Sequence, residues 1–158
     1  LVSIEKERTR YRLRSIIADY SDLVRAASQQ PDWPSAPLQL QVESAQLGAK
    51  AGILLWKEFT DGIHQMRLCL EQESQARQLS IHAIPGIIHS SFCRFLKVPD
   101  TRGDEIQEQF QSSVVPRVAK IFERTIPAHS VRLVYDTTPC MHIPNDEEHV
   151  LVYLELST

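Results

Sequence analysis

Hydrophobic residues recur at helical spacing in the first part of the chain. After Glu5 they fall at i, i+3, i+4 and i+7, which predicts one amphipathic helix. Its inward positions are Leu13, Ile16, Ile17, Tyr20, Leu23 and Val24. Residues Leu1–Ile4 instead alternate like the end of a strand, because alternation is the period of a strand with one buried side. We therefore expect a strand before the helix, with further residues upstream of Leu1.

A proline-rich loop at Pro31–Pro37 separates this helix from an alternating segment. Proline clusters mark loops because proline fixes one backbone angle and lacks an amide hydrogen. Apolar residues alternate over positions 38–42, and an apolar run of strand length follows at 50–56. The sequence therefore predicts an antiparallel hairpin that turns through residues 43–48.

A second helix is predicted to start after Asp61, a residue type that caps helix N-termini. Its inward positions are Ile63, Met66, Cys69 and Leu70. A buried strand is expected at Ile87–Leu96, and a third helix from about Asp104. Pro116 lies inside that helical pattern, which predicts a kink or two abutting helices.

Two further alternating segments, at residues 130–137 and 149–156, predict the last strands. The resulting order is a partial strand, helix, two strands, helix, strand, helix and two strands. Such an order is typical of an α+β fold with a mostly antiparallel sheet and helices packed outside it. A chain of 158 residues is long enough for one domain with a hydrophobic core. We therefore predict a single α+β domain over residues 1–158.

Composition narrows the possible partners. Hydrophobic residues make up 42% of the chain and the net charge is −3, which argues against a strongly basic nucleic-acid surface but not against a local basic groove. No apolar run approaches the roughly 20 residues that span a bilayer, so we predict no membrane partner. The three cysteines have no C-x-x-C spacing and indicate reduced thiols in an intracellular, cytoplasmic protein.

Candidate chemistry is concentrated in the segment Ile84–Phe95. In a regular strand His89 and Ser91 point to the same side, where an imidazole and a hydroxyl can hold a phosphate and pass it a proton. Cys93 would share that side as a buried, inert thiol, the alternative being a nucleophile paired with His89. Arg94 would point away unless a β-bulge intervenes. The alternative for His89 is a core histidine whose hydrogen bonds are satisfied.

A second polar cluster ends the strand predicted at residues 130–137. Tyr135 and His142 lie there or in the loop that follows, where binding residues often gather, so both are possible cleft-lining residues, as is Arg94. The acidic and histidine residues from His142 to His149 match no ordered metal motif. We therefore predict no metal site and no cofactor.

The sequence His89-Ser90-Ser91-Phe92 resembles the His-x-[Ser/Thr]-hydrophobic motif of the 2H phosphoesterase superfamily, which includes LigT-like RNA 2′,3′-cyclic phosphodiesterases. The apolar run at 52–56, the following helix and the motif strand resemble the second half of that fold. The resemblance implies two lobes, each giving one such motif to a shared cleft. Residues 1–37 would be the remainder of the first lobe, without its N-terminal strand, and residues 38–158 mainly the second lobe, with returning strands. A second His-x-[Ser/Thr] motif is absent from this sequence, so it is expected upstream of Leu1.

The resemblance implies a metal-independent phosphoesterase that acts on a cyclic or 2′,5′-linked phosphodiester of a nucleotide or RNA end. His89 would then be a catalytic acid or base, and Ser91 a donor to a phosphate oxygen. Histidine suits proton transfer because its ordinary pKa lies near neutrality. Two alternatives remain: a catalytically silent nucleotide- or RNA-binding module of the same fold, and a structural α+β domain. No obligate protein partner is evident.

Overall fold

The structure is a computed structural model that describes residues 2–48, 51–79, 86–95, 103–135 and 149–156, without the side chains of residues 2–10 and 121. The helices are α1 (Val2–Ala27), α2 (Gly62–Ala76), α3 (Gly103–Gln109) and α4 (Val115–Phe122), with a π-helical segment at Phe110–Val114. The strands are β1 (Leu38–Leu47), β2 (Ala51–Glu58), β3 (Ile88–Arg94), β4 (Thr125–Ala128), β5 (Ser130–Val134) and β6 (Val150–Glu155). The predicted α+β class with antiparallel sheets is confirmed.

The chain folds into two compact units, each made of segments that are distant in sequence. The first unit comprises Leu1–Pro37, Asp61–His82 and His129–Thr158, and the second comprises Leu38–Thr60 and Ala83–Ala128. Residues 129–158 are thus grouped with the first 37 residues. None of the helices in the described ranges has both the length and the hydrophobicity of a bilayer-spanning segment.

The first unit packs two helices and a two-stranded sheet. Leu23 and Val24 of α1 and Val152 of β6 form its buried cluster, and Arg25 donates a hydrogen bond to the Leu151 carbonyl of β6. The predicted amphipathic helix over residues 13–24 is confirmed, but its burial is uneven. Leu13 and Ile16 remain 36% and 42% exposed, so the apolar stripe is buried mainly in its last two turns.

The second unit is built on a four-stranded antiparallel sheet in the order β3-β2-β1-β4. Leu38, Val42 and Ala45 of β1 are buried and lie on one side of it, which we call the core face. Phe92 of β3 and Phe110 of the π-helical segment stack with ring centroids 6.0 Å apart. An apolar pocket beside these rings, of about 300 Å³, is lined by Leu47, Phe95, Ile106, Gln109, Phe110, Ser113 and Val114.

Two expectations about element type or boundary are corrected. Residues 2–4 belong to α1 and not to a strand, because the helix-favouring residues that follow extend the helix back through them. The hairpin is confirmed, but β1 continues to Leu47 with a bulge between Val42 and Ser44. Residues 43–47, which were predicted as part of the turn, therefore belong to the strand.

Pro116 interrupts the helical segment 103–122 as predicted, and the interruption takes the form of a π-helical turn. Proline lacks the amide hydrogen that would bond to the carbonyl four residues earlier, and its ring crowds that carbonyl. The Val115 amide accordingly donates to the Phe110 carbonyl, five residues back. Phe110, the first residue of this widened turn, is buried and stacks on Phe92.

Asp61 does precede α2, but its side chain does not cap the helix. Its backbone lies in the left-handed region with φ of 59°, which aspartate tolerates better than most residues. Met66 and Cys69 of α2 are buried as expected. Burial, followed by the charge of Asp32, raises the pKa of the Cys69 thiol, so this cysteine stays protonated and unreactive at neutral pH.

Candidate functional site

The strand that carries the candidate residues lies at an edge of the second unit's sheet. Among the described strands β3 pairs with β2 alone. Ile88 is half-buried, and every residue from His89 to Arg94 is exposed. The expectation of a buried strand is therefore wrong, because an edge strand covered on one side only leaves its apolar residues partly in solvent. His89 is not a core histidine.

A β-bulge in β3 changes which residues share a side. Ser91 pairs with Ile53 and Cys93 pairs with Gly52, so Phe92 is the extra residue between them. Directly paired residues of antiparallel strands point to the same side, and neighbours along a strand point to opposite sides. Beyond the bulge the alternation is therefore reversed, as bulges do when they insert one residue.

The reversal moves Arg94 onto the side of His89 and Ser91, because Arg94 pairs with Ala51, two residues from Ile53. The same shift sends Cys93 to the core face. The expectation that Cys93 shares a side with His89 is wrong, and so is the expectation that its thiol is buried, since Cys93 is exposed. A nucleophilic pair of Cys93 with His89 is thereby excluded by geometry.

Two contacts support this assignment independently of the register. The indole Nε1 of Trp56 donates to the Ser90 hydroxyl at 2.9 Å, which places both side chains on the core face. A Cβ built on Gly52 would lie 2.5 Å from the Phe92 ring and 2.7 Å from the Cys93 sulfur. Phe92 and Cys93 therefore both lie over Gly52, on the side away from His89.

We call the side opposite the core face the polar face. On β1, β2 and β3 its residues are Gln41, Ser44, Gln46, Ala51, Ile53, Leu55, Lys57, His89, Ser91 and Arg94. The cross-strand rows are Ser44–Leu55–His89, Gln46–Ile53–Ser91 and Ala51–Arg94. A central apolar column on β2 is thus flanked by amide and hydroxyl groups on β1 and by imidazole, hydroxyl and guanidinium groups on β3.

The β3 column of the polar face has the donors that a phosphate requires. Successive rows lie about 6.6 Å apart, and the long Arg94 side chain can cross that distance toward Ser91. A guanidinium forms paired charge-assisted hydrogen bonds with phosphate oxygens, and a serine hydroxyl donates one more. His89 stands one row further along, where it can exchange a proton with an oxygen on phosphorus.

The remaining predicted site residues lie elsewhere. Tyr135 belongs to the first unit, where its side chain is half-buried and its backbone amide donates to the His149 carbonyl at 2.8 Å. His142 lies outside the described residues. Within the described part of the chain no group of three or more histidine, cysteine or acidic residues is placed to hold a metal ion.

Sequence reasoning missed the β1 and β2 residues of the polar face. Gln39, Gln41, Ser44, Gln46 and Lys57 lie on that side, and the alternation of glutamine with leucine at residues 38–41 was the available signal. The bulge at Glu43 hid its continuation, because the alternation skips one position there. These residues extend the candidate site from one strand to three.

No protein-family model, no curated protein and no solved structure matches the chain. The resemblance to the 2H phosphoesterases stays a prediction that depends on the residues named above.

Proposed function

We propose that this protein binds the phosphoryl group of a nucleotide or RNA end on its polar face and hydrolyses a cyclic or 2′,5′-linked phosphodiester there without a metal ion. The observation that carries the proposal is the β-bulge at Phe92, which brings Arg94 onto the exposed side already occupied by His89 and Ser91. A histidine, a hydroxyl and a guanidinium in sequence along one strand are the donors and the proton carrier that phosphate chemistry requires.

In the proposed reaction a water oxygen attacks phosphorus and the bond from phosphorus to the leaving sugar oxygen breaks. One proton must leave the water and one must reach the leaving oxygen. His89 carries one of these two transfers, as base or as acid. Arg94 and Ser91 hold the non-bridging oxygens and stabilise the charge that develops on them, which is the main requirement of phosphoryl transfer. The three cysteines agree with an intracellular site of action, where nucleotides and RNA ends occur.

A second candidate is a module that binds the phosphate and does not hydrolyse it. The specific observation in its favour is that the described part of the polar face holds one histidine, whereas the 2H mechanism uses two. A single imidazole supplies either the base or the acid but not both at the same moment. The two candidates share the binding residues and differ only in turnover.

The test is an assay of the full chain with 2′,3′-cyclic nucleotides and 2′,5′-linked oligonucleotides, in parallel with equilibrium binding. His89→Ala should lower turnover by about 10²- to 10⁴-fold, the usual contribution of a positioned acid or base, while binding changes little. His64→Ala is the matched control, because His64 is an exposed histidine on α2. A chelator such as EDTA should leave turnover unchanged.

Arg94→Ala should weaken binding of the same ligands by about 10- to 100-fold, since a charge-assisted hydrogen bond contributes roughly 1.5–3 kcal/mol. Arg117→Ala, at an exposed position of α4, removes an equal charge elsewhere in the same unit. Turnover that His89→Ala leaves intact, or that EDTA abolishes, contradicts the catalytic proposal. Binding that depends on Arg94 without any turnover establishes the second candidate instead.

A further inference from the structure

The polar face continues past the phosphate-binding residues toward the far end of β2. Lys57 lies on this face, and Phe59 follows it just beyond the strand with 52% of its surface exposed. The backbone amide of Phe59 donates to the Gln39 carbonyl at 3.1 Å, so strand-like pairing extends to Phe59. The Lys57 ammonium lies 5.3 Å from the centroid of the Phe59 ring. The two side chains are therefore neighbours on the same side.

The register gives the distance between this aromatic residue and the candidate acid or base. Leu55 pairs with His89, and Phe59 follows Leu55 by four residues, so the two levels are separated by about 13 Å along the strand. That separation exceeds the repeat between successive phosphates of one extended nucleic-acid strand. A phosphate contacted by both His89 and Arg94 lies between their levels, near Ser91 and its partner Ile53, which is six residues or about 20 Å before Phe59. A mononucleotide held there therefore ends short of Phe59, whereas a longer strand reaches it.

We infer that the polar face is a track for single-stranded RNA, with the terminal phosphate at His89, Ser91 and Arg94 and a nucleotide further along the strand bound by Phe59 and Lys57. This inference rests on the proposed function, because it extends the same binding face. It narrows the substrate class from any phosphodiester to the end of an oligonucleotide. Phe59 stacks on a base, and Lys57 contacts a phosphate between that base and the end.

The chemistry of the face favours this partner over a small phosphorylated metabolite. Proteins bind single strands by combining cations that follow the backbone with exposed aromatic rings on which bases stack. Arg94 and Lys57 are the cations and Phe59 is the ring, while Gln41, Ser44 and Gln46 of β1 offer donors and acceptors beside the track. The net charge of −3 is compatible with this, because two local cations are enough for a weak, selective contact.

The contact between the Lys57 ammonium and the Phe59 ring is weak enough for a base to replace it when RNA binds. An exposed cation–ring contact contributes only about 0.5–1 kcal/mol, whereas stacking of one base on an aromatic side chain contributes about 1–3 kcal/mol. A base can therefore replace the ammonium over the ring without net loss. The Lys57 ammonium, on a flexible side chain, then moves to the adjacent phosphate.

The experiment measures binding of the full chain to a series of RNAs that end in a 2′,3′-cyclic phosphate, from mononucleotide to pentanucleotide. Phe59→Ala should weaken binding of the trinucleotide and longer RNAs by at least about fivefold, the lower limit of one base stack, and leave the mononucleotide unchanged. Phe59→Tyr, which keeps the ring, should restore the affinity. Tyr11→Ala, at an exposed aromatic position on α1, is the control.

Lys57→Gln tests the phosphate contact through the salt dependence of RNA binding. This dependence would not change if Lys57 only stabilised the fold. Each phosphate contact to a single strand contributes about 0.7 to the slope of log affinity against log salt, so this variant should lower the slope by about that amount for long RNAs. Lys120→Gln, at an exposed lysine of α4, should not change it.

The outcomes separate the two proposals. If Arg94→Ala weakens the mononucleotide but Phe59→Ala affects no length, or all lengths equally, then the phosphate site stands and the RNA track is wrong. A wild-type chain whose affinity does not increase from mononucleotide to pentanucleotide also overturns the track. A wild-type chain that binds none of these ligands contradicts the proposed function together with the inference.

Discussion

At the scale of single residues, the position that determines the site is Gly52, although it carries no chemistry itself. It pairs with Cys93 directly beside the bulge, and both Phe92 and Cys93 occupy the space that a side chain there would need. The absence of a Cβ thus allows the bulge to close against β2. Because the bulge is what turns Arg94 toward His89, Gly52 indirectly positions the guanidinium.

Gly52→Ala should therefore destabilise the protein by about 1–3 kcal/mol, the usual effect of adding a methyl group to a filled space. It should also weaken phosphate binding more than the loss of stability explains, since relief of the clash shifts β3 and with it Arg94. Urea unfolding and ligand titration measure the two effects. Gly103→Ala is the control, because a Cβ there meets no atom within 4 Å. Unchanged stability in Gly52→Ala would show that the Phe92 ring and the Cys93 sulfur move aside freely.

The bulge also explains why the sequence predicted only part of the site. Strict alternation correctly places His89 with Ser91, and incorrectly places Cys93 with them and Arg94 apart. One inserted residue reverses every later position of a strand, and whether Phe92 is that residue depends on its partner across the strand pair. Gly52 is forty residues away in sequence, so no local pattern around His89 could have revealed the reversal.

At the scale of whole elements, α1 shows how unevenly one amphipathic stripe contributes to stability. Leu23 is 1% exposed and packs in the buried cluster with Val24 and Val152. Leu13 occupies the same stripe but is 36% exposed. Helical periodicity assigns both leucines to the inward side, and only packing against α2 and β6 distinguishes them.

Leu23→Ala should lower the free energy of unfolding by about 2–5 kcal/mol, because it removes a buried side chain and leaves a cavity. Leu13→Ala removes the same atoms from the same helix and should lower it by less than about 1 kcal/mol, since much of that side chain already contacts water. Urea unfolding monitored by circular dichroism compares the two. Equal losses would mean that the N-terminal half of α1 is covered by a partner in solution.

The elements that the sequence predicted best are those with a sustained period. The stripe over residues 13–24 predicts α1, and the alternation and apolar run at 38–56 predict the hairpin, since several positions agree in each case. Strand β4 was missed because four residues, one of them Pro127, are too few to show alternation. Pro127 is tolerated there because β4 pairs only with β1 among the described strands, which leaves one side without ladder hydrogen bonds to make.

At the scale of the whole molecule, the path of the chain couples the unfolding of the two units more strongly than a single linker between two consecutive domains would. The chain passes from one unit to the other four times, at about residues 37, 60, 82 and 128. If the second unit unfolds, residues 38–60 and 83–128 become loose loops within the first unit. Closing loops of that length costs a few kcal/mol of chain entropy, which is a substantial part of the stability of an ordinary domain.

We therefore expect the two units to unfold in one transition. Trp33 lies in the first unit and Trp56 in the second, so each unit has its own fluorescent reporter. The variants Trp33→Phe and Trp56→Phe each keep one tryptophan, whose fluorescence follows urea unfolding. The two curves should have the same slope. They should also coincide once the stability change of each substitution, measured by circular dichroism, is subtracted. Two separated midpoints in either variant, by fluorescence against circular dichroism, would show that each unit holds together alone. The residues of the RNA track all lie in the second unit, so RNA binding should be lost in the same single transition. A ligand that binds only the native state stabilises everything that unfolds with it. Added RNA should therefore raise the urea midpoint reported by both tryptophans.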